Sequence, residues 1–352
     1  MKIEPLKIGD LIAKIPVIQG GMGVGVSLSS LAGAVALEGG IGIISTAQIG
    51  YRDPEFDNNP IETNLRVLKE QIIKAKDIAK GGIIGVNIMV ATRRYDEYVK
   101  AAVNAGADLI ICGAGLPMKL PELVGKAKTK IAPIVSSLKS ANVICKYWNK
   151  KYNRLPDMVV IEGPKAGGHL GFSKEEIEAY IENDNYDVEI ASIIECINKY
   201  GDDGGVKIPI VVAGGVYTRA DLEHYLSMGA SGVQMATRFV TTFECDASNE
   251  FKQAYINSKK EDIILVESPV GMPGRAILNP FMELAAKGTI PHSKCHLCVS
   301  TCNPNETPYC ITDALVNAAK GNCQDALLFC GTNAYLATEL VHVKDIMDEF
   351  RS

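Results

Sequence analysis

A (β/α)8 TIM barrel carrying a helical, cysteine-rich C-terminal appendage is the fold this sequence predicts, on three observations. Eight short apolar runs alternate with segments of helical spacing between Ile15 and Thr237. Three times a glycine joins a helix end to the next apolar run, in Leu37-Glu-Gly-Gly-Ile-Gly42, Asn104-Ala-Gly-Ala-Asp108 and Ser227-Met-Gly-Ala-Ser-Gly232, as a helix C-cap requires. Polar and glycine-rich residues gather just past the runs, where the strands of such a barrel build their site. A doubly wound open sheet is the competing fold. The expected division is a barrel over 1–242 and a helical region over 243–352, its cysteines concentrated in 295–330 and packed on the barrel.

Ile15-Pro-Val-Ile-Gln19 reads as the first strand, broken by Gly20-Gly-Met-Gly-Val-Gly25. Ser27 or Ser29 caps a helix through Leu31–Leu37. Gly39-Gly40 ends that helix, and Ile41-Gly-Ile-Ile-Ser45 is the second strand. A polar loop spans 51–60, helical spacing resumes over 64–79, and 82–89 is the third strand, with Asn87 near its carboxyl end. The alternation repeats with helices near 95–104, 121–127 and 140–148 preceding strands at 108–113, 131–136 and 157–161. A polar excursion over 173–187 leads to a helix ending at Tyr200, then a strand over 209–213, a helix over 219–228 and a strand over 232–237. The two polar segments, 51–60 and 173–187, read equally as lids or as surface insertions.

At 352 residues, with 33 glycines and 47% hydrophobic content, the chain suits one large α/β domain with an appendage. Its net charge of −5 comes with no basic cluster interleaved with aromatics, which excludes nucleic acid and an anionic membrane as partners. No apolar run reaches the ~18 residues of a membrane helix, and Met1-Lys-Ile-Glu-Pro5 lacks the layout of a signal peptide. The expectation is a soluble cytoplasmic protein acting on a small molecule. Oligomeric state stays open, with a homodimer as one option. Four of the ten cysteines (Cys112, Cys145, Cys196, Cys245) lie in apolar or helical context and read as small buried hydrophobes.

The densest signal is Glu162-Gly-Pro-Lys-Ala-Gly-Gly-His-Leu-Gly171, which follows the apolar run Asp157–Ile161. Glycines there, Gly167 and Gly168 among them, allow close backbone approach to a ligand around one histidine. His169, held on such a loop, is expected to titrate near neutrality and to move a proton. Ala213-Gly-Gly-Val216 and Gln234-Met-Ala-Thr237 follow strands seven and eight, where barrels build phosphate sites from backbone N–H groups. Gly214 and Gly215 then admit a phosphate, with Met235 beside them and Thr237 adding a hydroxyl. Gly20 and Gly21 leave room for a flat ring against Met22. Gln19, Asn87 and Glu162 stand at strand ends, within reach of a polar ring edge or ribityl hydroxyls. The set describes a flat phosphorylated cofactor with a histidine nearby.

Taken in order, Pro16-Val-Ile-Gln-Gly-Gly-Met22, Gly85-Val-Asn-Ile88, Glu162–Gly171, Ala213–Val216 and Gly232-Val-Gln-Met-Ala-Thr-Arg-Phe239 resemble the nitronate monooxygenase family. This family was formerly called the 2-nitropropane dioxygenases and includes the FMN-dependent enoyl-ACP reductases. The resemblance implies a TIM barrel holding FMN through Gly21, Met22, Asn87, Gly214, Gly215, Gln234 and Thr237, with His169 as the catalytic histidine. It implies oxidation of an alkyl nitronate to a carbonyl compound and nitrite, with oxygen completing the reaction. In the reductase branch NAD(P)H is the co-substrate and an enoyl thioester is reduced. The flavin serves both branches, so its signature does not choose between them. Ser268–Arg275 looks like a loop shared by both, and Arg275 is a candidate for substrate contact, with a solvated arginine or a local salt bridge as the plainer readings.

The tail sets Cys295, Cys298, Cys302 and Cys310 in the pattern C-x2-C-x3-C-x7-C, followed by Cys323 and Cys330. That spacing suits an iron–sulfur cluster or zinc, with His292 and His296 as further zinc ligands. Packed or redox-active thiols are the plain alternative, and a flavin- and thiol-based redox sensor is the corresponding third function.

Overall fold

The apolar runs expected as buried strands pair in parallel into a closed barrel. The computed structural model describes residues 3–291 and 294–351. A hairpin of β1 (Leu6–Ile8) and β2 (Leu11–Ala13) precedes the first barrel strand, β3 (Val17–Gln19). The barrel continues through β4 (Ile41–Ser45), β5 (Ile83–Met89), β6 (Leu109–Gly113), β7 (Lys130–Val135) and β8 (Val159–Glu162). The two-residue strand β9 (Gly168–His169) lies outside it, and β10 (Ile210–Ala213) and β11 (Gly232–Met235) complete the ring. The order is β10-β11-β3-β4-β5-β6-β7-β8, closed by Val211 of β10 in register with Val160 of β8.

Alternation along each strand sorts side chains to two sides. Ile18, Ile43, Ile111, Val160 and Val211 fill the barrel, joined by Leu6, Ile8 and Ala13 of the β1–β2 hairpin. Their neighbours Ile44, Val86, Ile110, Ile161 and Val212 pack outward against the helices. Those helices are α1 (Ser29–Leu37), α2 (Pro60–Ala79), α3 (Tyr95–Asn104), α4 (Leu120–Val124), α5 (Leu138–Tyr152), α6 (Lys174–Asn183), α7 (Tyr186–Asp203) and α8 (Arg219–Ser227).

Beyond the barrel come α9 (Thr237–Val240), α10 (Asn249–Ile256), a hairpin of β12 (Ile263–Glu267) and β13 (Pro273–Ile277), α11 (Pro280–Ala285), α12 (Ile311–Lys320) and α13 (Val343–Glu349). The appendage thus joins short helices by long, largely irregular segments, over 286–291, 294–310 and 321–342, and adds this hairpin, which pairs with β9 to form a three-stranded sheet. Residues 243–351 keep one small cluster of their own, around Val266, Phe281, Tyr309, Ile311 and Leu327, and share a larger one with the barrel. Phe251, Tyr255, Val343, Ile346, Met347 and Phe350 share one buried cluster with Val17, Leu31, Val35 and Val233. Arg351 reaches Glu38 just past α1, and Arg219 of α8 donates to the Arg351 carbonyl, so α13 sits against both.

Two local expectations change. The 173–187 excursion is α6, opened by a capping box between Ser173 and Glu176, and its single buried residue is Ile177. Neither Ser27 nor Ser29 caps α1. Ser27 is turned back onto the backbone N–H of Met22 (2.7 Å), and Asp246, far along the chain, takes the free N–H groups of Leu28, Ser30 and Leu31.

Candidate active site

The carboxyl ends of the strands open into a cavity of 430 Å³, within the range that holds small molecules and cofactors. Gly20, Gly21, Met22, Asn87, Glu162, Gly167, Gly168, His169, Gly214, Gly215, Gln234, Met235 and Thr237 all line it. Gln19 does not. Its amide is fully buried in the wall, donating to the Gly20 carbonyl and accepting from Ile43 N–H (3.1 Å).

The glycines are there because the backbone must pass close to other atoms. A Cβ on Gly21 would stand 2.4 Å from Asn87 Cβ, so the loop after β3 lies flat against the end of β5. At Gly214, φ is +97° and a Cβ would meet the Gly163 carbonyl at 2.9 Å. The turn after β10 therefore presses on the segment that carries His169, and only glycine permits both.

A return of the chain that the sequence reading missed completes this wall. Cys330, Gly331, Thr332 and Asn333 line the cavity between the turns after β8, β10 and β11. Gly331 N–H donates to Thr237 Oγ1 (2.9 Å), Asn333 Nδ2 to the Gly215 carbonyl (2.7 Å) and Thr332 Oγ1 to the Lys165 carbonyl (3.2 Å). Thr237 Oγ1 thus accepts from Gly331, and its own hydroxyl proton stays available to donate into the cavity. The available signal was the polar break Gly331-Thr332-Asn333 after the apolar Ala326–Cys330.

His169 is held from the outer side. Its strand β9 pairs with β13, Gly274 opposite His169 and Arg275 opposite Gly168. His169 Nε2 is 2.7 Å from Ser268 Oγ, and the ring meets the edge of Phe329 at 4.9 Å between centroids. Ser268 had been read only as part of a shared loop. Burial disfavours the imidazolium and pushes the His169 pKa down from 6.5 to about 4, which corrects the expectation of titration near neutrality. The same loss of water pushes Glu162 up to about 7.

Arg275 is placed elsewhere than expected. It is 3% exposed, absent from the cavity lining, and donates to the Ala166 carbonyl. Burial pushes its pKa down to about 10. The geometry makes it a clamp behind Gly167 and His169.

All ten cysteines, the six of the tail included, are free thiols. Charge on Cys295 or Cys298 would disfavour charge on Cys302, and Cys298 acts likewise on Cys310, so these four thiols are neighbours, but no three of their sulfurs form a group within 4.8 Å, the spacing of donors around a single ion. The group that does come together, among the described residues, is His296, Cys310 and Asp313. His292 lies outside the described residues.

The family model described as nitronate monooxygenase matches residues 5–351. A "probable nitronate monooxygenase" of Staphylococcus saprophyticus is 25% identical over 304 residues, covering 80% of this chain and 81% of that protein. Among solved structures, FabK of Thermotoga maritima is similar with a TM-score of 0.72 and 24% identity, over 96% of this chain and 94% of that one. Nitroalkane oxidase of Streptomyces ansochromogenes follows at a TM-score of 0.70 and 19% identity, with 96% and 94% covered. At such identities the two structures establish the barrel fold alone.

Proposed function

The chain belongs to the nitronate monooxygenase family of flavin-dependent oxidoreductases, and on that premise we propose that it oxidises alkyl nitronates to carbonyl compounds and nitrite, using FMN. The observation that carries this reading is one half-buried histidine, His169, set in the wall of a cavity whose floor is glycine-rich backbone at four strand ends. That floor fits FMN: Gly20, Gly21, Gly214 and Gly215 line the cavity with no side chain, leaving bare backbone N–H groups for a ring and a phosphate to lie on. Gly214, Gly215 and Thr237 would hold the phosphate end, with Gly331 beside them. Met22, Asn87 and Glu162 would face the ring. FMN, when bound, supplies the electron-transfer chemistry.

The chain's own contribution is to bind and orient an anion. His169, neutral above pH ~4 by the burial argument, offers a ring hydrogen-bonding group to a nitronate and has a weak affinity for a proton. Ser268 and Phe329 fix the ring, and Met272 covers the cavity beside it. A substrate that is already an anion needs no strong base, which suits this histidine. NAD(P)H enters only in the alternative reading, reduction of an enoyl thioester. The proposal places the enzyme in the cytoplasm, where ten unpaired thiols persist, with no nucleic-acid partner at a net charge of −5. Among the described residues no helix is long and apolar enough to cross a membrane.

The test is the flavin's visible spectrum under anaerobiosis, with an alkyl nitronate and with NADH or NADPH mixed separately. Bleaching by the nitronate alone is the expected result. Fast bleaching by a reduced nicotinamide, with none from the nitronate, would replace this reading with the reductase one.

A further inference from the structure

Outside the cavity, His296, Cys310 and Asp313 bring a ring nitrogen, a thiol sulfur and a carboxylate oxygen within 4.8 Å of one another. We propose that these three side chains bind a divalent transition-metal ion of the zinc class. The His296 side chain is 8% exposed, and its Nε2 donates to Asp57 Oδ1 at 3.0 Å. In the neutral ring, Nδ1 then carries a lone pair. Nδ1 is buried, has no hydrogen-bond partner and faces Asp313 Oδ1 at 3.5 Å, with the Cys310 sulfur alongside.

An acceptor buried against other acceptors is unfavourable unless something positive stands between them. A metal ion at that point satisfies all three donors together. The Asp57–imidazole pair then becomes the outer carboxylate that orients a metal-bound histidine and fixes its tautomer. One nitrogen, one sulfur and one oxygen suit zinc, which takes these donors in a tetrahedron. Cys298, whose thiol is near enough to raise the Cys310 pKa, would reach the fourth position by a side-chain movement, with water as the other occupant.

The placement gives the ion a structural task. Cys310 and Asp313 stand at the start of α12, and Leu315 and Ala318 of the same helix line the cavity. Phe56 stacks on the His296 ring at 4.9 Å, and Gln48 donates to the His296 carbonyl (3.2 Å). One ion would therefore staple the tail segment and α12 to the loop ahead of α2, beside the flavin site. A second proton on His296, shared between Asp57 and Asp313, is the competing occupant, and it leaves Cys310 without a role.

Elemental analysis of the full-length holoprotein decides between them. The expected result is about one zinc per chain, reduced at least tenfold by His296→Ala and by Asp313→Asn and unchanged in Cys196→Ser. Wild-type protein stripped with a chelator and reloaded with Co2+ alone should show ligand-field bands of a tetrahedral thiolate site beyond the flavin absorption. This readout does not depend on a variant folding. Absence of both zinc and cobalt bands would leave a protonated histidine and overturn the proposal. So would iron with acid-labile sulfide that disappears in Cys295→Ser and Cys302→Ser but survives His296→Ala, since the four cysteines would then carry a cluster.

Discussion

At His169 the ring sits between Ser268 Oγ and the edge of Phe329, in a wall where little water reaches it, and that setting decides which proton chemistry it can perform. Replacing it with alanine should lower kcat/KM for a nitronate by at least ~10²-fold while FMN stays bound. With the folded pKa near 4, the wild-type profile should show no inflection at 6.5. An inflection there that vanishes in the His169→Ala variant would refute the burial argument. The same group affects stability. Between pH 6.5 and about 4 the unfolded chain binds a proton that the folded chain refuses, so this contribution falls as pH drops through that window. Glu162 works in the opposite sense. Its folded pKa of about 7 exceeds the ordinary 4.5, so stability from this group is lost as pH rises from 4.5 to 7. Glu162→Gln should therefore raise Tm at pH 8 and leave it nearly unchanged at pH 4, as thermal melts at the two pH values would reveal.

Helix α1 shows how an element's start is settled from outside it. The four free N–H groups at a helix N-terminus need acceptors, and the serines placed to serve α1 are not used for this. Ser27 ties back the cavity-lining turn at Met22, while Asp246 caps the helix across more than two hundred residues. Asp246→Ala should cost about 1–2 kcal/mol, measured by denaturant unfolding. A loss no larger than that of an exposed-site control would mean that water replaces the carboxylate. Elsewhere the periodicity was read correctly. The eight apolar runs are the barrel strands, and the helix ends at Gly39, Gly106 and Gly229 have the positive φ that a glycine C-cap supplies. Helix α6 carries a short apolar stripe, Ile177, Tyr180 and Ile181 at i, i+3 and i+4, and a Ser173–Glu176 capping box, both legible in the sequence; only Ile177 is buried, so the segment still looks like a polar surface excursion.

For the molecule as a whole, the tail is a working part of the barrel. Helix α13 buries Ile346, Met347 and Phe350 in the cluster that holds Leu31, Val35 and Val233. Phe350 is fully buried, so Phe350→Ala should destabilise by about 3–5 kcal/mol. Its unfolding should remain a single transition, because tail and barrel share that core. Two separated transitions would show instead that residues 243–351 fold apart. Farther up the chain, Phe329–Asn333 and α12 close one side of the cavity, and the β12–β13 hairpin carries the strand opposite His169.

What the sequence determined by itself was everything that depends on local order. Hydrophobic alternation and glycine punctuation specify the eight β/α units. Parallel strands buried on both faces present their polar residues only at their ends, so thirteen lining positions from Gly20 to Thr237 were legible before any coordinates. Tertiary structure decided what comes from segments distant in sequence. It turned Gln19 into the wall and Arg275 behind the loop, brought Ser268 and Gly331 to the site, and set His296 beside Cys310 and Asp313. It also decided how acidic His169 is, because a pKa is set by the water that folding removes, and no local pattern reports that loss.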